Sequence, residues 1–207
     1  MKILLTGFEP FGGSTVNPSI EACRRLKVTA AEYGLENHEI VVEEIKLRYK
    51  EIKDTITGLI EAVKPDILVM TGQAPFPSIR VEKLAVNLAD ARIAYNCGDK
   101  PVEEILEPDG FTAYFSTLPA KKIVEFLSEA GIPAVVSLSA GTYGCNQIFY
   151  HAMHHLQEKG SSITAGFIHV PALPEQVVDN PNTPSMSLST IVKGLGVILN
   201  AITDSIG

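Results

Sequence analysis

Short runs of β-branched and aliphatic residues alternate with helical patterns along the whole chain, and this alternation constrains its fold more than any other feature. Ile3-Leu4-Leu5-Thr6 reads as a strand followed by a glycine-rich loop. Asn17-Pro18 supplies an N-cap and a first-turn proline for a helix running to about Tyr33. A strand over 39–47 precedes a helix over 49–63. Lys64-Pro65-Asp66 breaks that helix, and Ile67-Leu68-Val69-Met70 is a buried strand. Leu84, Val86 and Leu88 alternate on one face and predict a further strand over 81–89. Residues 96–119, rich in Pro, Asp and Gly, predict a long loop carrying Phe111, Tyr114 and Phe115. A helix over 119–130, a strand over 134–138, a helix over 145–158 and a strand over 163–169 follow. A loop through Pro184 and a helix over 186–204 complete the pattern. Strands joined through helices predict an α/β fold: a three-layer α/β/α sandwich with a largely parallel central sheet. The 207 residues suffice for one domain with a substantial core, and no repeat divides them.

Composition narrows the function classes. Apolar residues make up 45% of the chain, which sets disorder aside. The formal charge of −7, from 17 Lys and Arg against 24 Asp and Glu, argues against a nucleic-acid surface. Cys23, Cys97 and Cys145 are an odd count without a CxxC pair. That speaks for free thiols in a reducing cytosol rather than disulfides or a zinc knuckle. The apolar run after Met1 is too short for a signal peptide, and no stretch approaches the ~20 apolar residues of a membrane span. The expectation is a cytoplasmic protein with no membrane and no nucleic-acid partner.

In open α/β sheets, ligands bind beyond the carboxyl ends of the strands. The loop from Ser139 to Gly144 follows one strand and opens a helix, placing Cys145 in its first turn, where the helix dipole favours a thiolate. A small buried apolar role is the competing reading for a lone cysteine. His169 ends the next predicted strand. If those two strands are parallel neighbours, thiol and imidazole share one rim, as a cysteine hydrolase requires. Glu82 and Asp90 bracket the 81–89 strand, and spacing alone does not choose between them as the group that orients the imidazole. Arg92 either pairs with Asp90 or points a cation at an oxyanion. His151 and His154 fall opposite the apolar stripe of their helix, so a solvated face is expected and a metal site is set aside. The first loop, Gly7 to Ser14, nearly spells a phosphate loop, but Gly13 replaces the lysine and Glu9 adds a negative charge. Its rings, Phe8 and Phe11, suit a flat uncharged ligand instead.

Several long segments then match one family. They are Leu5 to Gly13 with Asn17-Pro18, Glu82 to Asn87 with Asp90 to Ile93, Ala113 to Pro119, Ser139 to Gly141 with Cys145-Asn146, and Gly166 to Pro171. In these the chain resembles pyroglutamyl peptidase I, also called pyrrolidone-carboxylate peptidase, over nearly its whole length. The resemblance implies a Cys–His–Glu triad falling on Cys145, His169 and Glu82, with Arg92 near the oxyanion. It implies a lactam pocket lined by Phe8, Phe11, Ile93 and Tyr143, with Asn17 and Gln73 bonding the ligand or the pocket wall. It further implies no cofactor, N-terminally pyroglutamylated peptides as partners, and a homo-oligomer, dimer or tetramer. Pyroglutamate is a neutral lactam, and a pocket that bonds its ring carbonyl would reject proline. The chain departs from the pattern between Gly72 and Glu82, which is one residue short, at Gly144 and Leu47, and at Ala94-Tyr95-Asn96. The altered 72–82 loop leaves one rival, a cysteine amidase of altered specificity on the same scaffold; a rival of a different class is a non-catalytic small-ligand-binding homologue.

Overall fold

Three strands with almost no polar interior lie at the centre of the protein. A computed structural model describes residues 1–206. In it β1 (Lys2–Phe8), β3 (Ile67–Gln73) and β8 (Thr164–Val170) are each buried on both faces over six of seven residues. Strands that read as continuous apolar runs are those covered by helices on both sides. With β2 (Glu39–Ile45), β4 (Ile79–Glu82) and β7 (Ala134–Ser137) they form a six-stranded sheet, ordered β2-β1-β3-β8-β4-β7. The pairs β2–β1, β1–β3 and β3–β8 are parallel, while β4 runs antiparallel to β8 and parallel to β7.

Alternation along the strands sends side chains to two apolar clusters. Ile3, Leu5, Ile67, Val69, Ile168 and Val170 face α1 (Pro18–Val28), α3 (Ala120–Glu129) and α5 (Leu188–Ile206). Leu4, Leu68, Met70, Ala165 and Phe167 face α2 (Ile52–Val63) and α4 (Gly144–Glu158). The α/β class with its mostly parallel sheet is therefore present, flanked by helices as predicted. None of the helices among the described residues is long and apolar enough to cross a membrane.

Three sequence expectations are corrected. The single strand expected over 81–89 is two elements: β4 ends at Glu82, and β5 (Leu84–Val86) leaves the main sheet to pair with β6 (Ala113–Phe115). In β5 the buried side chain is Ala85, not the larger Leu84 and Val86. The strands β7 and β8 are not neighbours, because β4 is inserted between them. His151 is not solvated. It is buried, 2.9 Å from Glu107, which also binds Lys53. Burial outweighs the neighbouring carboxylate and pushes His151 down to about 4, so the ring is neutral at pH 7. His154 meets the Tyr114 hydroxyl at 2.8 Å. The cause of the correction is the segment expected to be a plain loop. It folds over α4, contributes β6, and covers the helix face that periodicity assigned to water.

Asn146, fully buried at the start of α4, ties that helix to β5. Its side chain accepts from Val86 N–H at 2.9 Å and donates to the carbonyls of Val86 and Leu88 at 2.8 and 3.0 Å. It serves as an extra strand partner for β5, immediately after β4. Asn146→Ala removes three hydrogen bonds at once and is expected to lower unfolding free energy by roughly 3 kcal/mol in urea titrations. A loss under about 0.5 kcal/mol, the range of an ordinary surface substitution, would contradict this role.

Candidate active site

Antiparallel insertion of β4 brings two distant residues to one spot. The register pairs Arg80 with His169, Val81 with Ile168 and Glu82 with Phe167. Since Ile79 and Val81 point into the α1 side, Arg80 and Glu82 share the α4 side with His169. Glu82 and His169 are diagonal neighbours there, with Nδ1 to Oε1 at 2.8 Å and exposures of 5% for His169 and none for Glu82. The other carboxylate oxygen of Glu82 is also buried and, among the described residues, has no hydrogen-bond partner. Such a carboxylate is tolerated in a core only beside a compensating charge or donor.

Cys145 approaches from the opposite wall. The chain leaves β7, turns at Gly141 with φ 78°, and enters α4 with Cys145 half-buried in its first turn. Its sulfur lies above Gly72, the register partner of His169 on β3. A Cβ added at Gly72 would stand 2.7 Å from Sγ and 2.8 Å from the Phe167 ring, so only glycine leaves room for the thiol. His169 thus has Glu82 on one side and Cys145 on the other. Burial, the largest single influence on its pKa, disfavours the imidazolium; the sulfur and the carboxylate together outweigh it and raise His169 to about 9. At neutral pH the ring is therefore protonated between two acidic groups.

Before the sulfur opens a cavity of about 500 Å³. Phe8, Phe11, Gln73, Arg92, Ile93 and Tyr143, all expected at the site, line it with Cys145 and His169. Glu82 stands behind His169. Asn17 lies beneath the cavity wall and does not line it. It caps α1 by accepting from Ser19 N–H at 3.1 Å, and donates to the Glu9 carbonyl at 3.0 Å, which fixes the loop bearing Phe8 and Phe11. Glu9, the charge that spoiled the phosphate-loop reading, clamps two loops by accepting from Leu47 N–H at 2.8 Å and Asn96 at 2.9 Å. Tyr143 donates to the Ala94 carbonyl at 3.0 Å and packs on Tyr95 with ring centroids 4.5 Å apart. Asp90 is exposed, and the carboxylate bonded to the imidazole is Glu82. The unusual Gly144 and Leu47 prove to be complementary: Leu47 Cδ1 lies 2.4 Å from where a Gly144 Cβ would be.

The geometry is that of an acyl-transfer site, with a thiol, an imidazole and a buried carboxylate in sequence at the foot of an apolar pocket. A family model described as pyroglutamyl peptidase matches residues 1–205. The chain belongs to the pyroglutamyl peptidase family. Among relatives, the pyrrolidone-carboxylate peptidase of Lactobacillus johnsonii is 44% identical, covering 100% of this chain and 94% of that one. That of Bacillus licheniformis is 47% identical over 95% of this chain and 89% of that one. Among solved structures, a mutant pyrrolidone carboxyl peptidase from Pyrococcus furiosus superposes with a TM-score of 0.93 at 37% identity, covering 100% of both chains. Pyroglutamyl peptidase I from Bacillus amyloliquefaciens does so with a TM-score of 0.92 at 40% identity, covering 98% of this chain and 97% of that one.

Sequence reasoning missed Gly72, Arg80, Glu9 and the Asn146 clamp. Gly72 alone carried a local signal, a glycine inside a strand that implies close approach by another group. Gly72→Ala is expected to shift the sulfur against His169 and reduce kcat at least about a hundredfold on a pyroglutamyl amide. Overpacking should cost roughly 1–3 kcal/mol of stability. An alanine variant with wild-type kcat would show that this clearance does not matter.

Proposed function

We propose that the chain, acting as one domain, is a cysteine exopeptidase that hydrolyses the amide bond after an N-terminal pyroglutamyl residue. The observation carrying this reading is the His169–Glu82 pair, buried beneath the Cys145 sulfur at the end of a pocket lined by rings and an amide. The lactam ring would lie against Phe8, Phe11 and Tyr143, with the Gln73 amide as a polar partner. Gln73 is itself held by Gln176, whose Nε2 donates to Gln73 Oε1 at 3.3 Å.

In this mechanism Cys145 attacks the pyroglutamyl carbonyl as a thiolate, and the carbonyl π electrons move onto oxygen. Backbone N–H groups opening α4, together with Arg92, stabilise that oxyanion. As the oxyanion collapses, the C–N bond breaks and protonated His169 gives its proton to the departing amine. His169, now neutral, takes a proton from water, which attacks the thioester; pyroglutamate leaves and the sulfur is regenerated. Glu82 holds the imidazole by Nδ1 and leaves the other nitrogen for the sulfur and the amine. The test is a chromogenic pyroglutamyl amide beside its prolyl analogue. The protein should cleave the first and leave the second almost untouched, and Cys145→Ala should lose at least about 10³-fold. A fully active Cys145→Ala variant, or equal cleavage of both amides, would refute the reading.

We further propose that the protein works in a reducing cytosol as a homo-oligomer. Free thiols at Cys23, Cys97 and Cys145 support the compartment. An exposed edge supports the assembly: β7 ends the sheet unpaired on one side and exposes Val135, Val136 and, just beyond it, Leu138, with Leu138 69% accessible. Light scattering should return the mass of a dimer or tetramer at micromolar concentration; a monomer mass throughout would exclude self-association.

A further inference from the structure

The catalytic cavity holds a cation that the mechanism above does not use. Arg80 lines it from β4, directly across the strand pair from His169. Its guanidinium carbon sits 3.4 Å from the centre of the Phe76 ring. Stacking of this kind fixes the plane of the fork and leaves its edges, which carry the N–H donors, for other partners. Among the described residues those donors have no hydrogen-bond or ion-pair partner. Among the described residues no carboxylate lies within ion-pair distance of Arg80, and its Nε–H is buried without an acceptor. A buried unpaired donor costs free energy that a bound acceptor would recover. No acidic residue lines the cavity either, whereas Arg80 and Arg92 both do. In a chain of net charge −7, the mouth of the active site is a local cationic patch.

The position of Arg80 says which part of a substrate it meets. Across the sheet the order is β1, β3, β8, β4. The lactam-facing ring Phe8 ends β1, the sulfur lies over Gly72 on β3, and His169 is on β8. With the lactam on the rings and the scissile nitrogen at His169, the residue that leaves continues over β4, where Arg80 stands.

Resting on the peptidase reading above, we propose that Arg80 is a specificity-determining residue that binds a carboxylate carried by the leaving residue. The substrate class is then pyroglutamyl peptides with an anion next to the scissile bond. Two sources share that chemistry: the free α-carboxylate of a pyroglutamyl dipeptide, and the side chain of Asp or Glu as first leaving residue in a longer peptide. Both lie a few covalent bonds from the scissile nitrogen, and an arginine fork binds either in two-pronged fashion.

Matched neutral and anionic substrates test this. One pair is pyroglutamyl-alanine against pyroglutamyl-alanine amide; the other is pyroglutamyl-glutamate amide against pyroglutamyl-glutamine amide. For at least one pair, kcat/KM should favour the carboxylate by about tenfold, the size of one charge-assisted contact. The pair that shows the preference identifies the source of the anion. Added NaCl should reduce the preference, because the cavity opens to solvent. In Arg80→Gln the ratio should fall to within about twofold of unity, and in Arg80→Lys to an intermediate value. The readout is a ratio within each variant, so a variant that cleaves the neutral amide is folded and informative. No preference in either wild-type pair, or a preference of full wild-type size in whichever Arg80 variant is active, would overturn the proposal. Failure of the wild type to cleave any of the four substrates would instead overturn the peptidase reading itself.

Discussion

A carboxylate with no exposed surface ends β4 of this sheet, and the rest of the site depends on how its charge is answered. Glu82 has one near partner, His169 Nδ1 at 2.8 Å. Leaving such a group unpaired in a low-dielectric interior costs several kcal/mol, so the pair favours a protonated imidazole. The sulfur of Cys145 adds to the same effect from the other side and helps to raise His169 to about 9. The interaction that stabilises the buried acid thus also keeps a proton donor ready beside the nucleophile.

Backbone arrangement makes that pairing possible. The strands β7 and β8, consecutive along the main sheet's chain order, are not neighbours. Here β4 is inserted between them, antiparallel to β8, and that sense sets Glu82 diagonal to His169 on the α4 face. Gly72 clears the space for the sulfur, and Asn146 anchors α4 to β5 just beyond β4. Around the pocket, buried Asn17 and half-buried Glu9 are ties that hold the aromatic loop and the loops at Leu47 and Asn96. Their polarity serves the shape of the wall and does not depend on a ligand.

The strand–helix alternation and the Cys145 helix were legible because periodicity, caps and apolar runs are local signals. Ile3–Thr6 and Ile67–Met70 could only be buried strands, and Cys145 follows a strand–loop–helix pattern. What stayed hidden was set by long-range pairing. Spacing could not choose Glu82 over Asp90, because the choice rests on the antiparallel β4–β8 register; only the family resemblance pointed to it. The mistaken solvent face of His151 has the same origin, since Glu107 and its neighbours reach that helix from some forty residues away in sequence. The complementarity of Gly144 and Leu47 joins positions about a hundred residues apart and reads as two unrelated oddities until their side chains meet.

The central claim is that His169 is protonated at neutral pH because the Glu82 carboxylate and the Cys145 sulfur flank it. Nitrogen-15 NMR of the labelled imidazole, titrated from pH 6 to 10, tests it directly. Both ring nitrogens should report the protonated form at pH 7 and titrate near pH 9, and the transition should move to lower pH in Cys145→Ala. A transition near the unperturbed histidine value of about 6.5, unchanged when Cys145 is replaced, would contradict the account.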